Sequence, residues 1–135
     1  MIIRHETFDK NERLCSRKLI SGLFEAGNIF YLPFYKVIWS ICDLKSPFPA
    51  QAAFMVPKKG FRHAVKRNLL KRRMREAYRK NKNILYEFLN SENRRIIFIV
   101  IFRNDLVQDY RSIEKSMQEL ISRIRLEVRE KSKKC

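Results

Sequence analysis

Asn68, Lys71, Arg72, Arg75 and Arg79 fall at i, i+3, i+4, i+7 and i+11, so on a helix they form one stripe, cationic after an amide at its start. The chemistry this suits is phosphate recognition. Arg offers a planar fork of donors that matches phosphate oxygens, and a helix gives those contacts register as well as affinity. Asn68 can donate and accept at once, which fits a sugar hydroxyl or a base edge. Lys58, Lys59 and Arg62 surround Gly60 just ahead, a basic loop entering a helix N-terminus whose backbone N–H groups also favour anions. Between Pro57 and Lys80 one acidic residue, Glu76, stands among eleven Lys and Arg.

Local stability does not account for that pattern, since like charges one turn apart repel by roughly 0.2–0.5 kcal/mol per pair. The C-terminal segment shows the contrast: Glu114, Glu119, Glu127 and Glu130 are interspersed with Lys115, Arg123, Arg125 and Arg129, as on an ordinary solvated face. The whole chain carries 30 Lys and Arg against 14 Asp and Glu, a net charge of +16. A polyanion is the natural partner, nucleic acid before anionic membrane.

Protein-borne hydrolysis is the rival chemistry and lacks its parts. It needs clustered His or carboxylates to activate water or hold metal ions. His5 and His63 are the two histidines, and Asp43, Glu76, Asp105 and Asp109 form no recognisable ligand spacing. Cys15, Cys42 and Cys135 make no CxxC pair, so zinc ligation is not indicated; Cys15 and Cys42 read as small core residues and Cys135 as a terminal thiol.

The elements that would position the stripe follow from periodicity. Leu70, Met74, Ala77 and Tyr78 lie at i, i+4, i+7 and i+8, an apolar stripe that anchors a basic helix from about residue 64 to 80. "NILYEFLN" is either a further short helix or its continuation. Upstream, Leu19, Ile20, Leu23 and Phe24 predict an amphipathic helix from about Ser16 to Ala26, with Ser16 as N-cap and Gly27 as stop. "FYLPFYKVIWSIC" and "AQAAFMV" read as strands joined as a hairpin with a long loop. "IIFIVIF" from Ile96 to Phe102 is apolar on both faces, hence a central covered strand, and too short to span a bilayer. Ile113, Met117, Leu120, Ile121, Ile124 and Val128 predict a last helix. The order is helix, strands, basic helix, strand, helix: an α+β layer with helices on one face of the sheet, one domain over residues 1–135, with flexible ends at 1–12 and 130–135. With no signal-peptide pattern at the N-terminus, a cytoplasmic protein is expected, without a membrane or DNA partner.

"AVKRNLLKRRMREAYR" closely resembles the signature of the bacterial ribonuclease P protein subunit. "ERLCSRKLISGLFEAG" is similar to the family's N-terminal helix, "IIFIVIFR" to its late strand, and the final amphipathic segment to its last helix. The resemblance implies a two-layer domain with a mixed four-stranded sheet and a left-handed β-α-β crossover, an exception to the usual hand and similar to the second domain of a small-subunit ribosomal protein. It implies that a catalytic RNA subunit meets Lys58, Lys59, Arg62, Arg67, Asn68, Lys71, Arg72, Arg75 and Arg79. It also implies a cleft for the 5′ leader of precursor tRNA, with Phe24 on its wall and Arg103 at its rim. Phe24 equally suits a core position. Leu69 stands where the family pattern has a basic residue, and Ile20 where another aromatic is common. The protein would then hold no cofactor of its own, magnesium acting at the RNA, and no protein side chain would be catalytic. A structural RNA binder of ribosomal type is the alternative.

Overall fold

The computed structural model describes residues 8–133. After a 3-10 turn at Lys10–Glu12 come α1 (Arg17–Ala26), β1 (Asn28–Tyr31), β2 (Tyr35–Ile41), β3 (Ala50–Met55), α2 (Ala64–Ser91), β4 (Ile96–Phe102) and α3 (Tyr110–Lys133). The strands form one sheet in the order β1-β2-β4-β3. β2 pairs antiparallel with β1 and β4, whereas β3 lies parallel to β4, so α2 is the crossover of a β-α-β unit.

Two expectations about the strands are corrected. The aromatic run after Gly27 is two strands, turned at Leu32, Pro33 and Phe34, where Leu32 and Tyr35 exchange backbone hydrogen bonds of 2.8 and 3.2 Å. Pro33 cannot donate to a ladder, which favours a break there. The hairpin is therefore β1–β2, and β2 does not pair with β3. β4 lies between them because its residues, all buried except Ile101, need cover on both faces and a partner along both edges.

The helices also divide between the two faces. Tyr35, Val37, Trp39, Ala52, Phe54, Phe98 and Val100 face α2 and α3 in the main core. Ile38, Ile97 and Ile99 point the other way and meet Leu23 of α1. A one-sided helix layer is thus corrected: an apolar β4 demands cover on its second face, and α1 supplies it. Ser16 Oγ accepts from the Leu19 N–H at 3.3 Å as the α1 cap. Gly27 ends α1 through closeness rather than left-handed backbone, since its φ is −71°. A Cβ there would sit 2.6 Å from both the Ile38 side chain and the Leu23 carbonyl.

α2 is one helix of 28 residues, so "NILYEFLN" is its continuation. No Gly or Pro interrupts it, and its buried stripe runs on from Leu70, Met74, Ala77 and Tyr78 to Leu85, Phe88 and Leu89. It stops where Asn93 takes a left-handed φ of 53° and the Arg94 N–H donates to the Leu89 carbonyl at 2.9 Å.

The two end segments expected to be flexible carry regular structure where they are described. Lys10–Glu12 forms the 3-10 turn, with the Glu12 side chain fully buried, because its carboxylate meets Lys82 of α2. α3 continues helical to Lys133. Residues 1–7, including His5, and residues 134–135, including Cys135, lie outside the described residues.

Candidate nucleic-acid interface

The α2 stripe separates in space as its spacing predicts. Leu70, Met74, Ala77 and Tyr78 are buried. Asn68, Arg72 and Arg75 are exposed on the opposite side, with Lys71 and Arg79 half-buried beside them. All five open onto one groove of about 760 Å³, whose other wall is Phe8 and Arg13 from the N-terminal segment. Glu76 does not dilute the charge evenly along it. Its carboxylate accepts from Arg79 at 2.6 and 3.1 Å and lies 3.9 Å from Lys80, at one end. The Arg79 hydrogen bond, aided by the Arg79 and Lys80 charges, holds the Glu76 carboxyl below its ordinary pKa.

The basic loop is anchored rather than free. Phe61 is buried with its ring 6.1 Å from Phe102, and its N–H donates to the Lys58 carbonyl at 3.1 Å. Lys58, Lys59 and Arg62 are left exposed around that anchor. Lys59 shares a hollow of about 340 Å³ with Arg103 and Asp105, bringing the loop to the end of β4.

A second surface lies on the α1 side of the sheet. α1 covers Ile38, Ile97 and Ile99. It leaves the next row, in which Tyr31 faces Lys36, Lys36 faces Ile101 and Ile101 faces Met55. Tyr31 is 54% and Met55 42% exposed. The Arg103 guanidinium sits 4.6 Å above the Tyr31 ring. Phe24 is 51% exposed on α1, which removes the core alternative for it. An apolar and aromatic floor crossed by Lys36, with Arg103 at its rim, suits stacked single-stranded bases and their phosphates.

The match to known proteins is broad. A family model described as Ribonuclease P matches residues 8–125. The chain belongs to the ribonuclease P protein family. It is 36% identical over 117 residues to the ribonuclease P protein component of Porphyromonas gingivalis, covering 85% of this chain and 84% of that one. It is 44% identical over 80 residues to that of Chlorobium phaeobacteroides, covering 57% of this chain and 55% of that one. The fold is shared with the RNase P protein from Thermotoga maritima, at a TM-score of 0.66 and 23% identity, covering 83% of this chain and 96% of that one. It is likewise shared with the Staphylococcus aureus RNase P protein, at 0.64 and 22%, covering 84% and 94%.

Within the family signature, the structure separates residues that the sequence groups together. Arg67 turns away from the groove and donates to the carbonyls of Phe61 and Arg62 at 2.7 and 3.0 Å, so it holds the basic loop in place. Arg73 reaches the Gln108 carbonyl at 2.5 Å and ties α2 to the segment before α3. Leu69 lines the groove among the cations. Sequence reasoning missed Phe8, Arg13, Tyr31 and Met55. For Tyr31, alternation about the buried Phe30 was a usable signal; for Phe8 and Arg13 there was none, because their place depends on a long-range contact.

Among the described residues no group of three or more His, Cys, Asp and Glu could hold a metal ion. His63 is exposed beside Arg62 and Lys66. Cys15 is exposed, which corrects its core assignment: it directly precedes the α1 cap, and the buried position there belongs to Leu14. No helix among the described residues is long and apolar enough to cross a membrane.

Proposed function

We propose that this chain is the protein subunit of a ribonuclease P ribonucleoprotein in the cytoplasm, where an RNA subunit cleaves precursor tRNA with magnesium ions and the protein positions the substrate. The carrying observation is the predominantly cationic groove on α2, where Arg72 and Arg75 stand exposed on a helix anchored by a buried stripe. Backbone phosphates of the RNA subunit fit that groove, with Lys58, Lys59 and Arg62 extending the contact. The row of Tyr31, Ile101 and Met55, with Phe24 and Arg103, fits the single-stranded 5′ leader; stacking tolerates any base, as varied leaders require.

The test incubates precursor tRNA with the protein alone, with the RNA subunit alone at modest magnesium, and with both. Cleavage stimulated in the mixture, and none by the protein alone, is the expected result. Cleavage by the protein alone overturns the division of labour. A protein that neither binds nor stimulates the RNA subunit overturns the whole reading in favour of a structural RNA binder.

A further inference from the structure

Residues 8 to 14 form a strap along the outer edge of β3. The Leu14 N–H donates to the Ala52 carbonyl at 3.0 Å, and the Gln51 side chain donates to the Asn11 carbonyl at 3.3 Å. At its start, the Phe8 ring meets those of Phe54 and Tyr78 edge-on, each at 5.7 Å. The Arg13 guanidinium lies 5.6 Å over the Phe8 ring and donates to the Phe8 carbonyl at 3.3 Å. The pair is thus fixed at both ends, and it faces α2 across the basic groove.

That groove contains more than cations. Val65 is 78% exposed and Leu69 half-buried, both lining the same space as Asn68 and Arg72. A surface that met phosphates alone would gain nothing from apolar groups set among its charges. A flat base needs such groups, together with a guanidinium or aromatic plane to lie on, while its phosphate takes the cations. Leu69 makes the α2 wall more apolar, and Arg13 adds a cation from the opposite wall.

We propose that this groove takes an unpaired nucleotide of the RNA subunit. The base lies against the Phe8–Arg13 pair, Val65 and Leu69, and its phosphate on Arg72. The proposal rests on the RNA-subunit reading above and assigns the strap a binding role within it.

The test uses the full chain and a transcript of the RNA subunit, without precursor tRNA, comparing wild type with Arg13→Gln, Phe8→Leu and Arg72→Ala by equilibrium binding, base-specific chemical probing and thermal melting. Arg13→Gln and Phe8→Leu should each weaken binding on the order of tenfold, as loss of one stacked base does. An unpaired base should become reactive while protection elsewhere persists and the Arg13→Gln melt is unchanged. If both variants bind and protect as wild type while Arg72→Ala is weakened, the slot is wrong and the RNA-subunit reading stands. If Arg72→Ala also binds normally, that reading falls with it. If Phe8→Leu alone binds weakly and melts early, Phe8 is a packing residue and the proposal is overturned.

Discussion

Glu12 and Lys82, 70 residues apart in sequence, form an ion pair buried inside the protein, with side-chain exposures of 0% and 1%. The carboxylate also accepts from the Tyr86 hydroxyl at 2.7 Å and from the Asp9 N–H at 2.6 Å. Its surroundings are apolar enough that burial raises the Tyr86 pKa far above the ordinary phenol value. Removing one partner leaves an uncompensated buried charge. Lys82→Met or Glu12→Leu should each cost about 3–5 kcal/mol, whereas the double replacement should cost far less or nothing. Urea unfolding of the four proteins measures this, and additive single effects would exclude a coupled pair.

Among the described residues, Arg72 and Arg75 face the groove without an acidic neighbour as close as the Glu76 that meets Arg79. Replacing both by Ala should flatten the slope of log affinity for the RNA subunit against log salt by about 0.7–0.9 for each phosphate no longer neutralised. Titrations at several salt concentrations give the slope. An unchanged slope places the stripe in solvent.

Phe24 is half-exposed, so its loss should spare the fold. Phe24→Ala should weaken holoenzyme binding of precursor tRNA by the roughly 1–3 kcal/mol of a stacked base. Binding of mature tRNA, which has no leader, should not change. Equal losses for both substrates would remove Phe24 from the leader cleft.

Gly27 sits where a methyl group would meet the Ile38 side chain and the Leu23 carbonyl, each at 2.6 Å. The carbonyl belongs to the helix backbone and cannot rotate aside. Gly27→Ala should therefore destabilise by about 1–3 kcal/mol, as overpacking does. A melting temperature equal to wild type would show that α1 can lift from β2 at no cost.

Asp109 Oδ1 accepts from the Ser112 N–H at 2.8 Å at the start of α3, and this hydrogen bond lowers the carboxyl pKa from its ordinary 3.8. A lowered folded-state pKa adds stability above the unfolded value and loses it as pH falls through the folded one. Asp109→Asn keeps an acceptor that does not titrate. Its unfolding midpoint should fall less steeply than wild type on acidification below the ordinary aspartate pKa. Parallel pH profiles would show that the cap contributes nothing through its charge.

The helices were legible from sequence because each carries its own period: the α1 cap at Ser16, the buried stripe from Leu70 to Tyr78 and the α3 series from Ile113 to Val128 all stand where spacing puts them. The α2 cation stripe was legible for the same reason. Strand pairing was not. Which strand adjoins β4 depends on contacts between distant segments, and alternation within one strand does not encode its neighbour. Lys82 shows a further limit, since a lysine in line with Tyr78 and Leu85 reads as exposed until Glu12 is brought to it. Arg67 likewise reads as one more cation of the face, although its fork closes on two loop carbonyls.

The strap that seals β3 has a consequence for how the chain is made. Residue 12 leaves the ribosome long before residue 82, so its carboxylate lacks its Lys82 counter-charge until most of α2 has emerged, and the groove's second wall is among the last parts to set. Synthesis from one end means that RNA can meet a finished groove only after α2 is complete. Nascent chains halted before residue 82 should show residues 8 to 14 open to protease, and chains released past α3 should show them protected.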